Sequence, residues 1–360
     1  MATFKDFLKS GHPPTLFCAF LYFDFCFAIW VLNGAMSPFI AEAFGLTPIQ
    51  KGVVISTPII AGALMRFPLG LLSQYIGRKS AALLEMGMIM IGLAWGWLMV
   101  DSYEKVIWMG VLLGIAGASF GVALSLGGGW FPPKYKGLAI GIAGAGNSGA
   151  VLAVLFAPTL AINYGWQNVY GITILFMLIP FFLMIFLAKE PPDREKKSIG
   201  GYLKVLIEKD AWIFNISYIL TFGGYIGFTS FLPTLFHDQY DIPKGQMGMW
   251  AAPIILMASV TRILGGWVAD RFGGLRVMLF ICAIVTVLAL AAALIPSPIV
   301  MAVILFLMFC ALGAGNGATF QLVPLRWTAS TAIAMSLIGE IGALGGGLIP
   351  NAMGTSRQYY

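Results

Sequence analysis

The chain has 360 residues, of which 59% are hydrophobic and only 10% charged, with a formal net charge of +6. A soluble domain of this size carries about a quarter of its residues charged to keep its surface wet. A soluble enzyme or a nucleic-acid-binding domain is therefore excluded, and the apolar excess belongs in lipid.

A short polar segment with Lys5 and Lys9 opens the chain, and the apolar run after it is too long for the core of a cleavable signal peptide. A span of about 20 apolar residues crosses the hydrocarbon layer. Cutting at charged and Pro-rich breaks predicts eleven spans, at 15–41, 51–75, 80–100, 105–131, 137–162, 166–188, 211–236, 246–269, 275–295, 298–324 and 329–353. The long polar linker 189–210, with its charge run Lys189 to Lys197, reads as a solvated loop. It divides a first half, 1–188 with six helices, from a second, 211–360 with five.

Cys18, Cys26, Cys282 and Cys310 all lie in apolar stretches and read as small hydrophobes. His12 and His237 stand apart from any other ligand type, so no metal and no cofactor is expected. With the N-terminus in the cytoplasm, 15 loop Lys and Arg fall inside and 4 outside, which predicts that orientation in a cell (inner) membrane.

The halves repeat. Arg66, Gly70 and Gly77 return 196 residues later as Arg262, Gly266 and Gly273. Gly117-Ala-Ser-Phe120 returns as Gly317-Ala-Thr-Phe320. A Gly-rich stretch with Gly144, Gly146 and Gly149 returns with Gly342, Gly345 and Gly346. The spacing predicts a duplicated six-helix unit whose last helix is absent, hence a chain that is a fragment of a twelve-helix protein.

The Gly-x3-[Asp/Asn/Gln]-x2-Gly-Arg-Lys pattern ending span 2 and echoed in span 8 resembles the major facilitator superfamily, although Gln74 stands where an acidic residue is usual. The stretches Gly137–Gly149 and Gly339–Asn351 resemble the paired signatures of its nitrate/nitrite porters, and the resemblance spans about 15–356. It implies an all-α membrane protein of two pseudo-symmetric halves rocking about a midplane site, and a monomeric secondary transporter rather than an enzyme. It further implies that Arg66 and Arg262 hold the anion, that Phe27, Phe120, Tyr218 and Phe222 wall it, and that Asn147 is the signature asparagine.

The arginines carry a physical argument of their own. A charge placed mid-helix costs about 2.5–3.5 kcal/mol on insertion scales, so it is rarely idle. Two guanidiniums facing each other would offer planar, forked donors to a planar, weakly basic anion, a geometry lysine lacks. Conservative Lys replacements are expected to weaken binding similarly at both sites. The alternatives are pairing with a buried carboxylate or snorkelling to the interface. Asn147 could bond the anion or a neighbouring helix, and the aromatics could simply pack. The glycines suit close helix packing.

Asp24 and Glu340 lie inside apolar spans and are candidate proton carriers, with an interfacial carboxylate (Asp24) or a structural hydrogen bond (Glu340) as the alternatives; Glu85, nearer a span end, reads as structural. Nitrate entering a negative-inside cell climbs about 2.3 kcal/mol per 100 mV, so accumulation needs coupled protons, whereas nitrate/nitrite exchange needs none. A porter for formate or another short carboxylate, or a membrane sensor, is the competing expectation.

Overall fold

The structure is a computed structural model that describes residues 4–192, 204–327 and 331–359. Part of the 189–210 linker and the start of the eleventh predicted span lie outside these residues. After a short helix, Phe4–Lys9, the chain forms α1 (Pro13–Phe44), α2 (Pro48–Ile76), α3 (Arg78–Leu98), α4 (Tyr103–Gly128), α5 (Pro133–Tyr164) and α6 (Trp166–Leu187). Then come α7 (Lys209–Tyr240), α8 (Met247–Phe272), α9 (Gly274–Ala292), α10 (Pro298–Arg326) and α11 (Thr331–Tyr359). Among the described residues, ten helices are long and apolar enough to cross a membrane, and α11 is a further helix of comparable length. All-helical architecture is what lipid allows, since backbone groups there must pair within their own segment.

Local sequence explains where the helices start and turn. Pro13, Pro48, Pro133 and Pro298 occupy first-turn positions, where proline's missing N–H costs nothing. The repeated Gly77 and Gly273 both take positive φ, 92° and 90°, which favours glycine and lets α2 turn into α3 and α8 into α9 with almost no loop. At the first of these corners the Glu190 carboxylate accepts from the Arg78 and Lys79 backbone N–H groups at 2.8 and 2.9 Å. That caps α3 with charge of the favoured sign.

The two halves meet along three seams: α1 against α7, α2 against α11, and α5 against α8. Glycine makes the approaches close. A Cβ on Gly34 would sit 2.3 Å from the Ser230 carbonyl oxygen, and one on Gly248 would sit 2.0 Å from that of Val154. The opposite surface is apolar: Leu275, Leu279, Phe280, Val287 and Leu290 of α9 are each about two-thirds exposed and face outward, as a lipid-facing helix requires.

Phe120 and Phe320, which the repeat relates, stack on each other and so lie beside the axis relating the halves. Along the α1–α7 seam Gly34 meets Ser230, Ser37 bonds Thr234 and Phe27 stacks with Tyr225.

Candidate functional site

Three irregular turns frame the middle of the molecule. α4 tightens to a 3-10 turn at Ile115–Ala118, α5 does so at Ala145–Ser148, and α7 widens to a π turn at Ile219–Gly223. Such breaks release carbonyls from the helical ladder and are frequent at functional sites.

Arg66 of α2 is 5% exposed and spans the two halves. Its Nε donates to the Gly117 carbonyl in the α4 turn at 2.9 Å, and its Nη1 donates to the Gly339 carbonyl of α11 at 2.6 Å. Three rings surround the guanidinium, those of Trp30, Phe120 and Phe222, with centroids 5.2, 5.3 and 5.3 Å away. The faces of these rings partly replace water around the cation.

Arg262 of α8 approaches from the other half. It is half-buried, lies 5.8 Å from the Phe120 centroid and 5.5 Å from that of Phe320, and meets the Tyr218 hydroxyl. Its Nη1 is buried without a hydrogen-bond acceptor among the described residues. Both predicted arginines therefore converge on one ring, Phe120, which itself lies beside the axis. Both stay in the middle of the bundle, and neither snorkels to an end of its helix. Their settings differ, however: Arg66 is closed in by both halves, while Arg262 keeps an exposed side.

The four predicted wall residues are all here and all buried: Phe27, Phe120, Tyr218 and Phe222. Tyr218 stacks on Phe222 at 5.1 Å and meets Phe320 at 4.9 Å. Phe320, Trp30 and Tyr225 belong to the same wall and were not among the expected site residues. Phe320 was within reach, since it is the repeat mate of Phe120; nothing in the spacing singled out Trp30.

The other sequence candidates separate. Asn147 is buried, and its amide nitrogen, oriented toward its own turn, reaches the Gly144 and Ala145 carbonyls at 3.2 and 3.3 Å. Its backbone carbonyl accepts from the Tyr225 hydroxyl of the other half at 3.3 Å. Neither a neighbouring helix nor an arginine takes the amide. Asp24 is no interfacial carboxylate: it is 7% exposed and accepts from the Ser148 hydroxyl at 2.7 Å on the α1–α5 seam. Glu340 is half-buried, one residue past the Gly339 carbonyl that Arg66 holds, and the Arg66 charge reaches it.

The signature glycines build seams. Cβ atoms on Gly146 and Gly149 would come within 2.8 and 1.7 Å of the Asp24 backbone, so α5 lies directly on α1. On α11, Gly342 lies against the Tyr218 ring, Gly345 against Ile219 and Gly346 against Ile226, each leaving a Cβ less than about 2.6 Å of room. Gly144 is looser, with Leu124 at 3.3 Å. The first set seats α1 with its Phe27; the second seats the π turn with Tyr218 and Phe222.

Comparison with known proteins agrees with this geometry. The sequence model of the Major Facilitator Superfamily matches residues 18–350. A probable nitrate transporter NarT of Staphylococcus epidermidis is 30% identical over 89% of this chain and 83% of its own length. The nitrite extrusion protein of Bacillus subtilis is 26% identical over 89% and 81%, and the probable nitrate/nitrite antiporter NarK1 of Thermus thermophilus 27% over 93% and 83%. The solved structure of a bacterial homolog to the human lysosomal transporter Spinster superposes with a TM-score of 0.73 at 19% identity, covering 96% of this chain and 82% of that one. That likeness concerns the fold.

Proposed function

The chain belongs to the nitrate/nitrite porters of the Major Facilitator Superfamily, and on that premise we propose that it carries nitrate and nitrite across the cell membrane by alternating access. The observation carrying this reading is the convergence of two guanidiniums, Arg66 and Arg262, on the Phe120 ring in a buried aromatic chamber beside the symmetry axis. A planar anion between them would take forked donors from both sides, with ring edges excluding water.

The rest of the proposal follows from the same frame. Residues 1–188 and 211–360 move as two rocking units joined by 189–210, with the N-terminus cytoplasmic. Arg66, Arg262, Phe27, Phe120, Tyr218 and Phe222 contact the anion, and Asn147 shapes the α5 turn behind it. Asp24 and Glu340 are the candidate proton carriers if transport is symport; exchange of nitrate for nitrite would use neither. The protein acts as a monomer.

The test is anion-specific thermal stabilisation of the purified chain followed by flux into proteoliposomes. Nitrate and nitrite should raise the melting temperature well above chloride, formate or acetate, and labelled nitrate should enter vesicles unchanged. Stabilisation by formate or acetate in preference to nitrate would assign the chamber to a carboxylate porter instead. Absence of any anion flux would remove the transport reading of this site.

A further inference from the structure

Tyr225 of α7 is wholly buried and carries a hydroxyl into an otherwise aromatic setting. Its ring stacks on Phe27 of α1, with centroids 6.2 Å apart, lies 6.2 Å from Phe222 of its own helix and meets Phe309 of α10 edge-on at 5.9 Å. Phenylalanine would serve that packing. A buried hydroxyl costs free energy unless it is bonded, so its partner carries information. That partner lies in the other half: the hydroxyl donates to the Asn147 backbone carbonyl, in the 3-10 turn of α5, at 3.3 Å.

The acceptor is well anchored. Ser148, the next residue of the turn, donates to the Asp24 carboxylate at 2.7 Å, and Gly146 and Gly149 lie against the Asp24 backbone. The α5 turn is thereby fixed to α1, and one bond from Tyr225 ties α7 to both. The helices themselves give its depth. α1, α5 and α7 all run from the N-terminal face to the opposite one. On each of them the residues of this contact come before the far-face seam: Phe27 before Gly34 and Ser37, Asn147 before Val154, and Tyr225 before Ser230 and Thr234. Tyr225 therefore roofs the chamber directly beneath the fastened side. Ser259 and Thr229 bring hydroxyls of its own half near it, so the phenol keeps polar company when the halves part.

We propose that Tyr225 is the latch that shuts the chamber toward the face opposite the N-terminus, its hydroxyl holding the α5 turn while that face is closed and letting go each time it opens. The inference rests on the alternating-access reading above. A latch of this kind has to be weak enough to break in every cycle, and a single neutral hydrogen bond is. Its acceptor is a backbone carbonyl, which neither titrates nor depends on a side chain. The bond thus differs in kind from the ion pairs of the far face, Lys51 with Asp238 and Lys244 with Glu42, which salt screens. Because the bond exists only in the closed arrangement, deleting the hydroxyl raises the population of the open one by the Boltzmann factor of that bond. Tyr225 acts through the placement of the two halves and needs no contact with the anion.

The experiment counts far-face openings by the rate at which a water-soluble maleimide labels Ser37→Cys in the purified full chain. Ser37 is 1% exposed and bonds Thr234 across the halves, so it is reached only when that face opens. The chain without the reporter gives the background of its own four cysteines. Tyr225→Phe keeps the ring and its stacking. It should speed labelling roughly two- to twelvefold, the worth of one neutral hydrogen bond, and the gain should persist in molar salt. Tyr170→Phe is the control. It removes an equally buried hydroxyl whose bond to Asn33, at 3.0 Å, stays within the first half, and it should leave the rate unchanged. An unchanged rate in Tyr225→Phe overturns the inference. So does an equal acceleration in Tyr170→Phe, which would make the effect a general loosening, or a gain that vanishes in salt, which would assign closure to the ion pairs. Nitrate-dependent labelling with Tyr225 in place, and no effect of Tyr225→Phe, leaves the functional reading standing. A reporter that is never labelled, with or without nitrate, removes that reading and this inference together.

Discussion

The two faces of the bundle are built differently, although the sequence that builds them is repeated. On the face opposite the N-terminus the halves are fastened together. Backbone meets backbone at Gly34–Ser230, Gly52–Pro350 and Gly354–Pro48. Lys51 of α2 pairs with Asp238 of α7 at 2.6 Å, Lys244 pairs with Glu42, and the Ile49 N–H donates to Gln358 at 3.3 Å. On the face that carries the N-terminus, the corresponding helix ends stand apart. Cβ atoms on Gly70, Gly137 or Gly141 would meet nothing within 4 Å. On that side Arg326 pairs with both Glu208 and Asp210. The bundle is a V whose fastened side is the face opposite the N-terminus. Gly70, Gly137 and Gly141 leave room on that side for helices to approach, as the proposed alternating access requires.

The largest effect expected from this contrast comes from overfilling the two faces. Gly248→Val forces α8 off the Val154 backbone, whereas Gly141→Val fills open space. Overpacking costs about 1–3 kcal/mol, a shift of roughly 5- to 150-fold in the ratio of conformers. Gly248→Val should favour opening of the far face, and Gly141→Val should favour the present conformation. Labelling of a single reporter cysteine on each face reads the ratio; shifts of the same sign in both variants would contradict the V.

Next come the arginines. Arg66→Lys and Arg262→Lys each keep charge but lose the fork, at a cost of about 1.5–3 kcal/mol, roughly ten- to a hundred-fold in affinity. The sequence symmetry predicts equal losses. The structure predicts a larger loss at Arg66, because that side chain also ties Gly117 to Gly339 across the halves, while Arg262 is half-buried and less constrained. Nitrate titrations of both variants decide; equal losses would mean the two settings become alike when the anion is held.

The carboxylates should come third. Glu340→Gln, beside Arg66, should abolish pH-driven accumulation in vesicles while nitrate/nitrite exchange persists. Asp24→Asn should do less, since an amide oxygen can still accept from Ser148. Full accumulation in both variants assigns the protein to exchange.

The smallest effect belongs to the far-face ion pair. Lys51→Ala should shift the conformer ratio by about 0.2–1 kcal/mol, less than roughly sixfold. Molar salt should produce a similar shift in the wild type by screening, and the same cysteine labelling measures both.

Several of these contrasts could be read in advance and others could not. The spans, the matched turns at Gly77 and Gly273 and the approach of Arg66 to Arg262 all follow from local composition plus repetition. The local setting of Asn147, whose amide reaches carbonyls of its own turn, was not legible, because nothing in the sequence announces that α5 tightens there. Glu85, read as structural from its place near a span end, is fully buried, because Tyr22 of α1 and helices α4 and α6 cover that turn. Phe320 was overlooked although the repeat pointed to it, whereas Trp30 is one aromatic among many in an apolar span.

Composition by itself determined that this chain lives in a membrane as a ladder of helices, because the transfer of apolar side chains into lipid sums over neighbouring residues and needs no partner. Duplication by itself determined that two arginines would stand in equivalent places. Tertiary structure decided that both share one phenyl ring, that Glu85 is fully buried, and that the halves are fastened on the face opposite the N-terminus. Those outcomes depend on how far each helix is rotated and tilted, and that is set by glycine seams joining residues far apart in the chain. A repeated sequence favours both openings alike, and only the unequal contacts of its two faces distinguish them.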